Sequence, residues 1–281
     1  MRKRGQAAVA HIWLIVMVAV YAIPIWLLIV TSLRSPQGGV FRDWSPFKLQ
    51  AFIPYDPDLD GYAKLFQDGS VFGPALVNTL IVCLVTVVVG CIVNMLAGFV
   101  FAYFDFPAKG PLFVLTLITF MVPFEAIVIP TLSIMQRLDL VDTLAAVILP
   151  TIANGFLVFM FRQFYRGIPR DLREAAMIDG ASLWTILWRI YLPLSRPLMV
   201  TAVIVLFIAQ WQALFLPLAV LRTQDNWVLQ LALAALQGNT QLPSWGPVLA
   251  GATITLLIPI VLVAPFMRYF KVSLLDGSTR G

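Results

Sequence analysis

Long apolar runs separated by shorter polar segments dominate this chain of 281 residues. A helix that crosses a bilayer needs about 20 mainly apolar residues, and six runs reach that length. They cover approximately residues 12–33, 72–103, 112–135, 144–164, 198–221 and 248–267. Prolines recur inside several runs, which membrane helices tolerate when neighbouring groups satisfy the freed carbonyls. The pattern predicts an all-α integral membrane protein with six transmembrane helices.

Composition supports this class. Hydrophobic residues make up 60% of the chain, charged residues 12%, and the mean hydropathy is +0.89, whereas soluble domains carry about 25% charged residues. Arg2, Lys3 and Arg4 precede the first apolar run, but that run is of spanning length and lacks a small-residue cleavage site. We therefore expect a retained first helix.

The distribution of basic residues predicts the orientation. With six spans both termini share one side of the membrane, and thirteen of the nineteen Lys and Arg residues fall on that side. The positive-inside rule places it in the cytoplasm. We expect a cytoplasmic N-terminus at 1–11, a permease domain at 12–267 and a cytoplasmic tail at 268–281. Outer loops are predicted near 34–71, with a short helix around 61–67, and near 222–247.

The loop between the fourth and fifth runs, residues 165–197, is polar and carries helix signals. Asp171 followed by Glu174 is a capping-box pattern for a helix start. Gly180 is suited to the left-handed backbone that ends a helix. Ser182 can then cap a second helix, which Pro193 is predicted to close. The loop predicts a short helix, a glycine turn and a second helix on the cytoplasmic side.

Three clusters in this loop occur at a fixed spacing: Glu-Ala-Ala at 174–176, Asp-Gly-Ala at 179–181 and Ile-Tyr-Leu-Pro at 190–193. In this topological place they resemble the EAA loop of permease subunits of bacterial ABC importers. Further matches are Asn-Thr-Leu at 78–80 and Met-Val-Pro-Phe-Glu at 121–125. They resemble the carbohydrate branch of that family, and the chain looks most like its smaller, six-helix, maltose-permease-G-like member.

The resemblance implies a type I ABC importer permease fold and a set of partners. These are a second, different permease chain, two copies of an ATPase subunit, an extracytoplasmic solute-binding protein and the lipid of a bacterial cytoplasmic membrane. The chain has no Gly-x-x-x-x-Gly-Lys-Ser/Thr phosphate loop. ATP and Mg are therefore expected on the partner ATPase subunits, with no cofactor bound by this chain and no nucleic acid partner.

The resemblance also implies that the loop is a coupling helix that docks on the ATPase. Glu174 would pair with an arginine of the partner, the alanines would permit close approach, and Gly180 would fix the bend. Glu174 as a helix cap alone is the alternative. The predicted coupling residues are Asp171, Glu174, Ala175, Ala176, Met177, Asp179 and Gly180. Candidate tail contacts with the ATPase are Thr279, Arg280 and Gly281, with a frayed terminus as the alternative.

Polar residues inside spans are costly and often functional. The candidates for the translocation path are Asn78, Glu125, Asn154, Gln210 and Gln212, with Trp211 as a surface for an apolar sugar face. Asn94 is a further candidate. The alternative role for Asn94, Asn154 and Glu125 is helix–helix hydrogen bonding. A second alternative for Glu125 is a position near the outer membrane interface.

Other functions have weaker support in the residues. His11 is the sole histidine, and Cys83 and Cys91 lie eight positions apart on one predicted helix. No catalytic or metal-binding group is therefore expected. A secondary transporter predicts inverted repeats or an ion-coupling cluster, and neither is evident. Within the ABC class we expect a neutral sugar or oligosaccharide, because no span centre contains an arginine; glycerol phosphate or a related ester is the alternative.

Overall fold

The computed structural model describes residues 2–34, 41, 43–44, 48–54, 57–238 and 245–266, with backbone alone at 2–8, 170 and 238. Within these ranges the chain is helical, without a β-strand, apart from an isolated bridge between Arg34 and Pro57. It divides into two compact units, Met1–Gly73 with Ala232–Ile258 and Pro74–Leu231 with Pro259–Gly281.

The first unit holds two short elements beside its long helices. Helix α1 covers Arg2–Ser32, α2 covers Asp60–Leu65, and a 3₁₀ turn covers Leu49–Phe52. The predicted short helix near 61–67 is thus confirmed. Arg34 Nη1 lies 3.3 Å from Asp43 Oδ2, and both side chains are buried. Arg34 Nη2 also donates to the Gln50 carbonyl at 2.7 Å. Hydrogen bonds of this kind satisfy a buried ion pair.

The described residues cover the end of helix α1 at Val30–Ser32 but leave most of its apolar surface exposed. Its span, Val9–Ser32, has a mean hydropathy of 2.6, and none of its most apolar window is buried. An exposed apolar helix surface of this kind is stable in lipid or against another subunit.

The second unit contains the long helix α3, Phe72–Tyr103, and a series of shorter helices. They are α4 Lys109–Met121, α5 Val128–Arg137, α6 Leu144–Ile148, α7 Gly155–Arg166, α8 Arg170–Ile178, α9 Leu183–Ile186, α10 Leu192–Leu194, α11 Arg196–Trp211 and α12 Phe215–Val220. Helices α13, Leu229–Gly238, and α14, Trp245–Val263, follow in the chain, and most of each belongs to the first unit.

Four helical segments within the described ranges are long and apolar enough to cross a membrane: Val9–Ser32, Phe72–Tyr103, Leu144–Arg166 and Trp245–Phe266. Two bent pairs raise the number to six if each pair is one span. Lys109–Met121 and Phe124–Arg137 meet at 100°, and Leu183–Leu194 and Arg196–Trp211 meet at 78°. The fold is therefore a multi-pass membrane protein with four to six spans.

The predicted fifth span, 198–221, is not continuous. Helix α11 ends at Trp211, and α12 begins at Phe215. Proline lacks the N–H that a helix interior requires. The interruption places Pro217 in the first turn of a new helix, where that donor is not needed. The predicted loop at 222–247 was also incomplete, because it contains α13.

Asp142 joins two loops of the second unit. Its backbone N–H donates to the Val220 carbonyl at 2.7 Å, and its Oδ1 accepts the N–H groups of Thr223 at 3.0 Å and Arg222 at 2.8 Å. These backbone donors, Thr223 first, lower the pKa of the Asp142 carboxyl to about 2. The carboxylate therefore holds the segment after α12 against the start of α6.

Candidate functional site

Helix α8 is the first element of the predicted coupling loop, and its start differs from the prediction. The helix begins at Arg170, with Pro169 in the cap position at φ −54° and ψ 133° and no side chain capping it. The capping-box prediction was wrong, because Asp171 already lies inside the first turn. Its charge still favours the helix, since the N-terminus carries the positive end of the dipole.

The end of α8 follows the prediction closely. Gly180 has a φ of +78°, the left-handed conformation that side chains disfavour. Its N–H donates to Met177 O at 3.0 Å, and the Ala181 N–H donates to Ala176 O at 2.9 Å. These two bonds form a Schellman motif. The glycine therefore ends α8 sharply and fixes the direction in which the chain leaves it.

The second helical segment begins as predicted but continues further. The Ser182 hydroxyl accepts the N–H of Thr185 at 3.2 Å, which confirms its cap role. The prediction that Pro193 closes the segment was wrong, because helical structure runs through Pro193 to Leu194. A π-type turn at Leu187–Tyr191 precedes the proline. Such turns interrupt the regular bonding ladder, and proline has no N–H to contribute to it.

Helix α8 presents most of its predicted coupling residues to solvent. The exposed ones are Asp171, Glu174, Ala175, Met177, Asp179 and Gly180, whereas Ala176 is partly covered. Ile178 is 86% exposed and Leu172 is 49% exposed. A short helix with fixed ends and an uncovered face of acidic, small and apolar residues has the character of a protein-binding surface.

Three path candidates gather around the break between α6 and α7. Asn154 caps α7 by accepting the Leu157 N–H at 3.2 Å, and its own N–H donates to Asn94 Oδ1 at 2.7 Å. Asn94 Nδ2 also donates to Ile152 O at 2.8 Å. Nearby, Gln210 Nε2 donates to the hydroxyls of Thr86 at 3.0 Å and Thr151 at 2.8 Å. These amides satisfy polar groups at a break in the 144–166 helix.

The remaining path candidates lie apart from this group. Asn78 Nδ2 donates to the carbonyls of Asp225 and Trp227 at 2.8 and 2.9 Å. Trp211 is 2% exposed and stacks on Phe207 at 5.5 Å, whereas Gln212 is exposed just after α11.

Glu125 has a different setting from the other candidates. It is exposed, and it lies in the turn Phe124–Ile127 at the 100° bend. The helices that meet there, α4 and α5, form one of the two bent pairs. Glu125 thus adds an acidic group to a break that is otherwise apolar.

Sequence reasoning missed Tyr103 and Arg173, which connect α8 to the end of α3. The guanidinium carbon of Arg173 lies 4.9 Å from the Tyr103 ring centroid, and the Tyr103 hydroxyl lies 3.6 Å from Met177 Sδ. The signal was present in the sequence, because Arg173 and Met177 are four positions apart and share one helix face. The other partner, 70 residues earlier, could not be inferred from spacing.

We expect the Asn94→Leu variant to be markedly less stable than the native chain. Leucine keeps the approximate size but leaves the Ile152 carbonyl and the Asn154 N–H without partners, at a cost of about 1–3 kcal/mol for each buried group. Thermal unfolding of the detergent-purified protein measures the loss. Val93→Leu, at an exposed neighbour on α3, is the control. Equal melting temperatures for both variants would contradict a stabilising role of the Asn94 hydrogen bonds.

Comparisons with known proteins identify the family. Residues 94–271 match the family described as binding-protein-dependent transport system inner membrane component. The chain is 33% identical over 261 residues to the arabinooligosaccharides transport system permease protein AraQ of Halalkalibacterium halodurans, covering 92% of this chain and 91% of the relative. It is 29% identical over 281 residues to the sn-glycerol-3-phosphate transport system permease protein UgpE of Yersinia pestis, covering 98% of each.

A solved structure shares the fold. A chain of a bacterial ABC transporter involved in the import of the acidic polysaccharide alginate superposes with a TM-score of 0.81, at 21% identity, covering 95% of this chain and 97% of that chain. The predicted resemblance and the predicted role as a permease subunit are confirmed. This chain belongs to the family of inner membrane components of binding-protein-dependent transport systems.

Proposed function

We propose that this chain forms half of the translocation path of an ATP-driven sugar or oligosaccharide importer and receives the ATPase movement through α8. The observation that carries the coupling role is the exposed face of α8 between its fixed ends. Helices with fixed ends transmit displacement, whereas a flexible loop absorbs it. The similarity to an arabinooligosaccharide permease over 92% of the chain supports the substrate class.

We count one membrane span for each bent pair and place the 183–194 part of the second pair in the cytoplasmic loop, which gives six. Both termini then lie in the cytoplasm, since the excess of Lys and Arg falls on their side. The permease domain is residues 12–267, and α8 lies in its cytoplasmic loop at 165–197. The candidate tail residues Thr279, Arg280 and Gly281 lie outside the described residues, and their contact with the ATPase remains a prediction.

Each coupling residue has a defined role in this proposal. Glu174 is exposed and acidic, so it pairs with a basic side chain of the ATPase subunit. Ala175 lets the ATPase surface approach the helix, and Gly180 sets the bend. Asp171 and Asp179 extend the acidic face, Ala176 is partly covered by the chain, and Met177, although exposed, contacts Tyr103.

The proposed complex contains a second permease chain, two ATPase subunits and an extracytoplasmic solute-binding protein. ATP and Mg bind to the ATPase subunits, and this chain binds no cofactor. Glu125, Asn78 and Gln212 are its proposed contributions to the path, with Asn154, Gln210 and Trp211 behind them. The buried positions of Gln210 and Trp211 favour a supporting role for these two residues.

Glycerol phosphate is the second candidate substrate, and the similarity to UgpE over 98% of both chains favours it. A phosphate ester is a dianion that calls for basic side chains in its path. No arginine or lysine lies near the middle of the four long candidate spans, of the 109–137 pair or of Arg196–Trp211. This chain therefore favours a neutral sugar.

The test is purification of the complex with its binding protein, followed by measurement of ATP hydrolysis with candidate solutes. We expect arabinooligosaccharide-type sugars to stimulate hydrolysis and sn-glycerol 3-phosphate not to. Stimulation by the phosphate ester alone would overturn the sugar assignment. Failure of any ATPase subunit to copurify would overturn the proposed function itself.

A further inference from the structure

The last turn of α3 lies directly against α8. Tyr103 is the final residue of α3, and it contacts both Arg173 and Met177 on one face of α8. Arg173 is partly covered there, whereas Glu174, Ala175 and Ile178 on the rest of the helix surface are exposed. Helix α8 therefore has one side that is exposed and available to a partner, and another side that contacts a long helix of its own chain.

Tyr103 also contacts a cluster of aromatic side chains. The Phe99 ring, one turn before Tyr103, lies 5.0 Å from the Tyr103 ring, 6.1 Å from the Tyr165 ring and 5.2 Å from the Tyr191 ring. Phe99, Tyr165 and Tyr191 are all buried. The contacts with Tyr165 and Tyr191 are edge-to-face, and the Tyr103 ring is tilted by 31° to the Phe99 ring. Aromatic pairs at these distances are favourable. Because these rings are closely packed, a displacement of Tyr103 also displaces Phe99, Tyr165 and Tyr191.

A second arginine holds the same end of α3. Arg162 of α7 donates from Nε to the Phe101 carbonyl at 3.4 Å, and its guanidinium carbon lies 3.8 Å from the centroid of the Phe113 ring. Cations near a helix C-terminus are favoured by the dipole and by the free carbonyls there. The end of α3 is thereby connected to α4 and α7 as well as to α8.

Helix α3 also reaches the opposite end of its unit. It has 32 residues, which corresponds to about 48 Å at 1.5 Å per residue. Near its start, Asn78 bonds the carbonyls of Asp225 and Trp227, and the Thr79 hydroxyl accepts the Leu229 N–H at 2.7 Å. One continuous helix therefore links the contact with α8 to the loop before α13.

We infer that Arg173 is a positioning residue that, with Tyr103, transfers the displacement of α8 to α3. This inference rests on the proposed function, since it assumes that an ATPase moves α8. The chain already joins α8 to α7 and to the 183–194 segment through short connections. The contact between Arg173 and Tyr103 adds a third connection, through which displacement of α8 reaches α3, the longest helix among the described residues.

The environment of Arg173 indicates that its positive charge has a role besides filling space. Its Nε is buried and has no hydrogen-bond partner among the residues that the structure describes, which is unfavourable for a donor. A methionine of similar length would fill the space without that cost. The ring of Tyr103 is attracted to a cation in a way that an apolar side chain cannot reproduce.

The test uses the assembled complex in proteoliposomes with its binding protein, and it measures ATP hydrolysed per solute imported. We expect Arg173→Met and Tyr103→Leu to leave the ATPase subunits copurifying and to raise this ratio about fivefold. Arg173→Lys and Tyr103→Phe retain the cation and the ring respectively, so both are expected to stay near the native ratio. Arg189→Met, at an exposed arginine of the same loop, is the matched control.

Three outcomes bear on the inference. A double variant, Arg173→Met with Tyr103→Leu, that is no worse than either single variant supports a shared contact. A native ratio in both single variants would overturn the inference, and so would loss of assembly in both, because the contact would then be structural only. Absence of ATPase subunits from the native preparation would instead overturn the proposed function.

Discussion

The Glu174→Lys variant is expected to insert into the membrane and to lose solute uptake by about 30-fold or more, because reversal of one partner in a desolvated charge pair costs several kcal/mol. Glu174 is exposed on α8, beside Ala175. A lysine there would face the basic group that the proposal assigns to the ATPase subunit. Uptake of labelled solute by proteoliposomes, together with solute-stimulated ATP hydrolysis, measures the effect.

Gly180→Pro is expected to give the same phenotype by a different cause. Proline cannot adopt the φ of +78° found at Gly180, and it lacks the N–H that bonds Met177 O. Asp68→Lys reverses the charge of an exposed acid in the first unit and is the control. Native uptake in both the Glu174 and Gly180 variants would contradict the coupling role of α8.

The Gly98→Ala variant is expected to fold poorly. A Cβ at Gly98 would overlap with Phe161 Cβ and lie 3.0 Å from the Arg162 backbone nitrogen. Neither neighbour can move aside like the end of a flexible side chain, so α3 and α7 must separate. Overpacking of this kind costs about 1–3 kcal/mol or more. The thermal midpoint and the yield of monodisperse protein measure the loss.

Gly110→Ala is the matched control for this prediction. It lies in α4, and a Cβ there would meet nothing within 4 Å. Alanine is the better helix former, so this variant should equal or exceed the native melting temperature. Equal melting temperatures for the two alanine variants would show that α3 and α7 do not pack as closely as the structure indicates.

The helices that the sequence predicted best are those bounded by unambiguous signals. Residues 72–103 form an apolar run between Gly-Ser and Asp-Phe-Pro segments, and α3 has the same bounds. The breaks were harder to place, because a proline predicts an interruption but not its angle. Pro123 indicated an interrupted third span, whereas the 100° bend depends on how α4 and α5 pack against other helices.

The loop at 165–197 shows a similar division. Gly180 and Ser182 act through hydrogen bonds to residues within five positions, so local sequence was sufficient to predict them. Asp171 failed as a cap because Pro169 fixes the helix start. The contact between Arg173 and Tyr103 joins residues far apart in the chain and required the fold.

The most direct test of the central claim is photo-crosslinking from α8 in the native membrane. A photoreactive amino acid at Ile178, which is 86% exposed, is compared with the same group at Asp68. The account predicts an adduct between this chain and an ATPase subunit from position 178 and none from position 68. No adduct with an ATPase subunit from position 178, in a complex that imports its solute, would contradict the account.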